Sequence, residues 1–416
     1  MKKRTAEKVS TETDSDTSPS SRNLAYVDVA SSELTRDINR DIVLENIRVL
    51  QPASRVDLAR ASGLQPSTVS SIVERLLAER WIQESAMIKT ARGRRPTLLS
   101  LNDDMVFLVA DVRPAQTVAA VVDLSGRFLE RQVVPISKDP GRSVESIAAT
   151  MNLLRKLHPG KTFQGIGVSL PGRVDPDTNH LIFAPNLQWP AYPIAERLRE
   201  LVGLEVQLEN DANASLLAEL WFGRVDGIRN AILLTVSEGI GAAILADGRL
   251  ISGKRGLAGE FGHIVLDPDG PTCGCGAKGC WEVFASSSAA LRYYRELEPE
   301  TLGPSIVALI ALALDGDVSA RTALTLQARA IGQGLHLLNA VMSPDVILLA
   351  GDVGIFYDVF RQVIEDECRA GAMDGDGPRV VSVGDGEVSR LRGGAAVVLK
   401  RHSGYYRAAH RRGDQR

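Results

Sequence analysis

Residues 262–282 of this chain read GHIVLDPDGPTCGCGAKGCWE, a stretch that contains one histidine and three cysteines: His263, Cys273, Cys275 and Cys280. The chain has four cysteines among its 416 residues, so three of them fall within eight residues. One His and three Cys form a donor set that Zn²⁺ accepts in closed, tetrahedral structural sites. Because glycine tolerates positive φ, Gly274, Gly276 and Gly279 should let a tight loop bring the sulfurs together. We therefore predict one structural zinc ion per chain; the alternative is a redox loop or a chance cluster.

Composition places the rest of the chain among globular proteins. The sequence is 44% hydrophobic and 24% charged, and no apolar run approaches the ~20 residues that span a bilayer. Residues 1–35 are polar and lack the apolar stretch of a signal peptide, so we expect a disordered tail and a cytoplasmic protein without membrane contact. Residues 401–416 form a basic tail. Four cysteines in a chain of this length do not form a disulfide framework. Cys368 lies in a helical pattern and is expected to be an inert buried thiol.

Charge is distributed unevenly along the chain. Residues 36–100 contain 11 Lys and Arg against 7 Asp and Glu, a net charge of +4, whereas the whole chain carries −3. The remainder therefore carries −7. A small basic module joined to a larger acidic one suggests two separate functions.

The module at residues 36–100 has the pattern of three short helices. Pro52 ends the first helix, and Ser54 is placed to cap the second, with Asp57 supplying negative charge to its first turn. The second helix stops at Gly63, and the third opens near Pro66. Apolar residues of the third helix recur at core spacing: Val69, Ile72, Val73, Leu76 and Leu77. Two helices joined by a short turn containing glycine predict a helix-turn-helix with its own small core.

The outward face of the third helix carries the side chains that we predict to contact DNA: Gln65, Ser67, Thr68, Ser70, Ser71 and Arg75. Short hydroxyl and amide groups near a helix N-terminus suit base edges and phosphates in the major groove. The stretch ESAMIKTARGRRPTLLSLN that follows reads as a wing, where Arg92, Arg94 and Arg95 reach the DNA backbone or minor groove. The alternative is a helical protein-interaction domain with a solvated basic loop.

From residue 101 to residue 400, short β-branched runs alternate with helical stretches. MVFLVADV, TVAAVVDLSG, FQGIGVSLPG, NAILLTVSEGIGAAIL and DVILLAG predict strands, and ASLLAELWFG and ARAIGQGLHLLNAVM predict helices between them. This alternation predicts an α/β architecture with sheets covered by helices.

The metal-binding stretch resembles the signature of the ROK family (repressors, open reading frames, kinases), in which GH is followed at a fixed gap by CxCGxxGCxE. SRVDLARASGLQPSTVS and RRPTLLSLN resemble the winged helix-turn-helix of the family's repressor branch, which includes xylose and N-acetylglucosamine repressors. The resemblance extends from about residue 36 to residue 400. It implies a winged helix-turn-helix followed by a two-lobed, actin-like ATPase domain of hexokinase type with a cleft between the lobes.

The resemblance also implies a sugar site. ENDANA, GEFGH, GCWE, SLPGRVD and APNLQW resemble the family's sugar-binding stretches and supply Gly172, Arg173, Asn186, Asn210, Asp211, Glu260, His263 and Glu282. Carboxylates and amides suit a hexose because each can contact two adjacent hydroxyls. In the kinase branch the aspartate at the position of Asp211 is the general base. Asp211 also suits the first turn of a helix, so on its own it does not predict an enzyme.

The nucleotide half of the kinase site is altered in three places. Where kinases have D-x-G-G-T, the chain has Arg113, Pro114 and Ala115, and proline removes a backbone donor. Where they have G-T-G-I-G, it has Glu238, whose carboxylate repels polyphosphate. Where they have G-G-G, it has Asp352 and Val353. We therefore expect no ATP and no catalytic role.

These observations favour a sugar-responsive transcriptional repressor that binds operator DNA as a homodimer or tetramer. One alternative is an active ATP-dependent sugar kinase fused to a DNA-binding domain. Another is a repressor whose sugar half is vestigial and which a partner protein controls.

Overall fold

In a computed structural model, the structure describes residues 32–85, 97–114, 116–223, 228–300, 303–370, 377–384 and 386–402. Most of the two predicted tails, Ala115, and the wing residues Arg92, Arg94 and Arg95 lie outside these residues. No helix of the described part is both long enough and apolar enough to cross a membrane.

Three helices and a small sheet form the N-terminal unit: α1 (Ser32–Leu50), β1 (Ala53–Ser54), α2 (Arg55–Ser62), α3 (Pro66–Ala78), β2 (Ile82–Ser85) and β3 (Leu98–Leu101). The strands pair antiparallel in the order β1-β3-β2. α1 begins four residues before the predicted start of the module. The winged helix-turn-helix architecture is confirmed.

Local capping explains where α2 begins and ends. Ser54 and Asp57 form a capping box, in which the Asp57 amide donates to Ser54 Oγ at 3.3 Å and the Ser54 amide donates to Asp57 Oδ2 at 3.1 Å. Gly63 ends the helix in the left-handed conformation, with φ of 68°. Both features follow the sequence prediction, because they depend only on residues a few positions apart.

The rest of the described chain contains, in order, β4 (Met105–Asp111), β5 (Thr117–Asp123), β6 (Phe128–Val134), α4 (Pro140–Leu157), β7 (Thr162–Leu170), β8 (Arg173–Asp175), β9 (His180–Phe183), α5 (Ile194–Val202), β10 (Val206–Asn210), α6 (Asp211–Phe222), β11 (Ala231–Val236), β12 (Ile240–Ala246), β13 (Arg249–Leu250), α7 (Glu282–Ala285), α8 (Ser287–Leu297), α9 (Ile306–Leu314), α10 (Val318–Met342), β14 (Val346–Gly351), α11 (Val353–Arg369), β15 (Arg379–Ser382) and α12 (Gly386–His402). All the strands and helices predicted from the quoted stretches are present.

Two five-stranded sheets of the same topology define two lobes. The first has the order β10-β7-β4-β5-β6 and the second β15-β14-β11-β12-β13. In each, the three strands on one side run parallel and the remaining pairs run antiparallel. This duplicated sheet is the predicted two-lobed, actin-like architecture. It places the turns after β4 and β11 at equivalent positions beside one cleft.

α12 lies between the two sheets. Its Leu391 and Ala395 belong to the core on one face of the first sheet, and its Ala396 belongs to the core against the second. Glycines allow this close approach. A Cβ at Gly167 of β7 would lie 1.8 Å from the Gly394 carbonyl oxygen, and one at Gly393 would lie 2.3 Å from the Ala214 carbonyl oxygen of α6.

The N-terminal unit shares a core with the first lobe. One buried cluster contains Val69 and Leu76 of α3, Phe107 of β4, and Leu391 and Val398 of α12. The small core expected around Val69 and Leu76 is therefore continuous with the core of the first lobe. Sequence reasoning did not indicate this continuity, because Leu391 and Val398 of α12 lie far along the chain from α3.

We predict that Gly167→Ala lowers the free energy of unfolding by about 3 kcal/mol, because the added methyl group meets backbone that cannot move aside. Gly160→Ala is the matched control, since a Cβ there meets nothing within 4 Å, and it should change stability by less than about 0.5 kcal/mol. Urea denaturation of both variants measures the difference. Equal stabilities would contradict the close packing of α12 on β7.

Candidate functional site: the interlobe cleft and its metal cluster

A cleft with a volume of 260 Å³ opens between the lobes. Both lobes line it, with loops after β4, β7 and β10 on one side and the β11–β12 turn and residues 256–263 on the other. The structure brings all eight residues of the predicted sugar site to this cleft: Gly172, Arg173, Asn186, Asn210, Asp211, Glu260, His263 and Glu282.

Asn210 joins the loop after β7 to the start of α6 at the cleft. Its Oδ1 caps α6 by accepting from the amides of Ala212 at 2.9 Å and Asn213 at 3.4 Å. Its Nδ2 donates to the Gly172 carbonyl oxygen at 3.0 Å, which holds the loop after β7 against the start of α6. The helix cap is thus Asn210, and Asp211 is the first helical residue.

Both carboxylate oxygens of Asp211 accept hydrogen bonds. Oδ1 accepts from the Ala212 amide at 3.0 Å, and Oδ2 accepts from Arg113 Nη1 at 2.9 Å. Both side chains are largely shielded from solvent, with exposed fractions of 15% for Asp211 and 27% for Arg113. Sequence reasoning noted Arg113 as a departure from the glycine turn but did not pair it with Asp211.

A second ion pair lies behind the first. Arg390 Nε of α12 donates to Asp111 Oδ2 at 2.9 Å, and only 2% of the Asp111 side chain is exposed. Burial raises the pKa of Asp111 to about 6, although the positive charges of Arg390 and Arg113 oppose the shift. The partners stand 279 positions apart, so no local sequence signal could reveal the pair.

Arg173 and Asn186 lie at the entrance of the cleft. The Arg173 guanidinium lies over the Phe183 ring, with its Cζ 5.3 Å from the ring centroid. Its Nε is buried and, among the described residues, has no hydrogen-bond partner. A ligand that carries acceptor groups can satisfy this donor.

The turns on the nucleotide side of the cleft are held by the start of α8. Ser287 Oγ donates to Asp352 Oδ2 at 2.7 Å, and Ser288 Oγ donates to the Glu238 carbonyl oxygen at 2.8 Å. Val353 is fully buried in the core of the second lobe. Asp352 is therefore engaged within the protein, and Glu238 lines the cleft.

Four potential metal ligands meet beside the cleft: His263, Cys273, Cys275 and Cys280. Their donor atoms all lie within 4.8 Å of one another. His263 Nδ1 is 3.6 Å from Cys273 Sγ, and Cys275 Sγ is 3.6 Å from Cys280 Sγ. A tetrahedral cation with bonds of about 2.0–2.3 Å separates its donors by about 3.5–3.8 Å. The cluster can therefore hold a metal ion in four-coordinate geometry.

The metal cluster and the cleft share side chains. His263 presents Nδ1 to the cysteines, while its Nε2 faces Glu260 Oε2 at 3.8 Å. Glu282 Oε2 accepts from the Ile240 amide in the β11–β12 turn at 2.9 Å, and its Oε1 lies 3.7 Å from Cys273 Sγ. A cation bound here would fix the positions of both carboxylates.

The loop that carries the cysteines is anchored by Trp281. Its ring is almost fully buried, and its Nε1 donates to the Ala330 carbonyl oxygen of α10 at 2.7 Å. It fits against Gly334, where a Cβ would lie 1.9 Å from the indole. Gly276 and Gly279 take positive φ as predicted, whereas Gly274 does not. Cys368 is buried in α11, outside the cluster.

Of the six side chains on or next to α3 that are predicted to contact DNA, four are exposed: Gln65, Ser67, Ser71 and Arg75. Thr68 and Ser70 are half-buried, and Ser70 Oγ donates back to the Pro66 carbonyl oxygen at 2.9 Å. Arg75 contacts Glu79 Oε1 at 2.8 Å and Asp37 Oδ1 at 3.5 Å. These contacts use two of the five N–H donors of the guanidinium.

Comparison with known proteins gives four matches. The ROK family model matches residues 111–401. The xylose repressor of Bacillus subtilis is 30% identical over 335 residues, which cover 79% of this chain and 85% of that protein. Among solved structures, a ROK family transcriptional regulator homologous to the Escherichia coli MLC protein matches with a TM-score of 0.77 and 24% identity, over 89% of this chain and 98% of that one. A ROK family glucokinase from Streptomyces griseus, in complex with glucose and AMPPNP, matches with a TM-score of 0.63 and 29% identity, over 70% and 98%.

We predict that Arg390→Met lowers the free energy of unfolding by about 3–5 kcal/mol near pH 8, because it leaves the Asp111 carboxylate buried without its partner. The loss should shrink near pH 5. The folded pKa of Asp111 lies above its ordinary 3.8, and removing Arg390 raises it further, so at about pH 5 the carboxyl is protonated and neutral. Urea denaturation at both pH values tests this.

The double variant Asp111→Asn with Arg390→Met serves as the control, since it removes the charge as well as its partner. It should be more stable near pH 8 than the single variant. A loss from Arg390→Met that is the same at both pH values would contradict a charged, buried Asp111.

Proposed function

Because the chain belongs to the ROK family, we propose that it is a DNA-binding transcriptional repressor whose affinity for its operator falls when a sugar binds in the cleft. The observation that carries this proposal is the placement of α12. One end of that helix lines the cleft through Arg390, and the other shares a core with the helix-turn-helix.

The DNA-binding half of the proposal rests on the N-terminal unit. α3 presents Gln65, Ser67 and Ser71 to solvent at and near its N-terminus, where short polar side chains reach base edges in the major groove. We propose Thr68, Ser70, Arg75 and the wing arginines Arg92, Arg94 and Arg95 as further contacts. DNA-binding domains of this type usually bind two half-sites about one helical turn apart, so the proposal includes a homodimer or tetramer.

The sugar half rests on the polar groups gathered in the cleft. Asn210, Glu260 and His263 offer amide, carboxylate and imidazole groups on adjoining walls. Such groups can pair with the hydroxyls of one sugar ring. The B. subtilis relative is named a xylose repressor, which supports a sugar as the effector.

Coupling between the sugar cleft and the helix-turn-helix follows from the packing of α12. From Arg390 to Leu399, α12 advances by about 14 Å. Leu399 lines a small apolar cavity together with Leu44 and Trp81 of the N-terminal unit and Trp221 of α6. A sugar that binds better to one arrangement of the lobes than to the other would bias the position of this shared helix. That bias would reach the helix-turn-helix directly.

A sugar kinase is the second candidate, because the predicted sugar site is complete and Asp211 stands at the position of the general base. Three observations weigh against a kinase. Arg113 engages Asp211, Ser287 engages Asp352, and Glu238 adds a carboxylate to the cleft, where polyphosphate would be repelled. A coupled ADP-release assay across a hexose panel separates the candidates, and turnover that vanishes in Asp211→Asn would establish a kinase.

We propose that the metal in the cluster is Zn²⁺. The donor spacing matches tetrahedral zinc, and thiolates favour zinc over magnesium or calcium. Burial raises the pKa of Cys280 to about 12 and also raises the pKa of Cys273, so metal binding must displace their protons. Four protein ligands leave no open position for a hydrolytic water. The role of the ion is to hold His263 and Glu282 at the wall of the cleft.

The proposed function is tested by footprinting the full-length protein on genomic DNA at physiological salt, with and without a sugar library. We expect protection of a sequence with two half-sites, and its loss with at least one sugar. Absence of any sequence-selective protection would overturn the DNA-binding half. Protection that no sugar alters, together with no sugar binding by calorimetry, would favour control by a partner protein instead.

The zinc proposal is tested by elemental analysis. The purified protein should contain about one zinc ion per chain, and Cys275→Ala should lower that content and abolish the response to sugar. Cys275 is exposed, so its replacement disturbs packing little, and Cys368→Ala is the matched control that should retain zinc. Zinc well below one per chain in the unmodified protein would refute the proposal.

A further inference from the structure

We propose that Arg113 makes the cleft selective for an aldopentose over the aldohexose that matches it at every ring hydroxyl. This inference rests on the proposed function and adds to it the class of effector. Its basis is the ion pair between Arg113 and Asp211 at one end of the cleft. The two sugars differ only in the exocyclic hydroxymethyl group that the hexose carries.

The position of Arg113 identifies which part of a sugar it excludes. A kinase that phosphorylates the hydroxymethyl group of a hexose needs a free carboxylate facing that hydroxyl. Asp211 stands at that place here, but its Oδ2 accepts from Arg113 at 2.9 Å and its Oδ1 from the Ala212 amide at 3.0 Å. A hydroxymethyl group that approached Asp211 would meet the guanidinium that is already paired with Oδ2.

The residue that follows Arg113 restricts its backbone conformation. Pro114 follows it directly, and the residue before a proline is restricted to extended conformations. β4 ends at Asp111, and Arg113 follows one residue later, after Val112; both Asp111 and Val112 are buried. The backbone of Arg113 is therefore restricted where the kinases of the family have glycines, and the ion pair with Asp211 locates the guanidinium in the cleft.

The charge around Arg113 also favours the intact pair. Asp211, Arg113, Asp111 and Arg390 alternate in sign along this edge of the cleft. Pulling Arg113 away from Asp211 would leave a largely shielded carboxylate without its counter-charge, which is costly. A pentopyranose leaves the pair untouched, because it carries a hydrogen where the hexose carries the hydroxymethyl group. Asn210, Glu260 and His263, which line the same cleft, would remain available to its ring hydroxyls.

The test measures the affinity of the full-length, zinc-loaded protein for three matched pairs by calorimetry: D-xylose with D-glucose, L-arabinose with D-galactose, and D-lyxose with D-mannose. Within the pair that binds, we expect the pentose to bind at least about tenfold more tightly. Arg113→Ala should bring the two affinities to within about threefold, chiefly by strengthening hexose binding. Arg113→Gln, which keeps a polar side chain but loses the charge, should do the same if the smaller variant is unstable.

Arg142→Ala is the matched control, because Arg142 is an exposed arginine paired with Asp139 at the start of α4, outside the cleft. It should leave the preference unchanged. Hexose binding that equals or exceeds pentose binding while Arg113 is intact would overturn this inference and leave the sugar-responsive repressor standing. A preference that survives both Arg113 variants would overturn it as well. Failure of all six sugars to bind would count against a sugar effector of either class and would therefore overturn this inference too.

Discussion

The close packing of α12 between the two sheets is the constraint on which the rest of the structure depends. Gly393 and Gly394 bring the helix backbone against α6 and β7, where a methyl group would collide with carbonyl oxygens. Because the helix fits this closely, it cannot move without moving the sheets on either side. The cleft and the helix-turn-helix are both built on α12, so a rearrangement of one changes the environment of the other.

Two groups of side chains, on opposite walls, determine the chemistry of the cleft. On one wall, alternating charges from Asp211 to Arg390 connect the start of α6 with α12. On the other, Glu282 lies beside Cys273 of the metal cluster and holds the β11–β12 turn through the Ile240 amide. A ligand that contacts both walls would tie the lobes together. Such a ligand can shift the equilibrium only by the difference between its affinities for the two arrangements.

Local sequence signals predicted a large share of this structure. The capping box at Ser54, the left-handed Gly63 and the metal cluster depend on residues that are close in the chain, and each is in the structure. The eight residues of the predicted sugar site also meet in one cleft, because the ends of β7 and β10 and the loops after β9 and β13 converge there. The long-range features were missed. Arg390 and Asp111 are 279 positions apart, and nothing in the helical pattern near α3 indicates that Val69 and Leu76 share their core with α12.

The central claim is that cleft and operator are coupled through a shared core, and coupling between two ligands is reciprocal. The direct measurement is the affinity of the effector sugar for the free protein and for the protein saturated with operator DNA. The account predicts that operator DNA weakens sugar binding by the same factor by which saturating sugar weakens operator binding. Identical sugar affinity with and without DNA would contradict it.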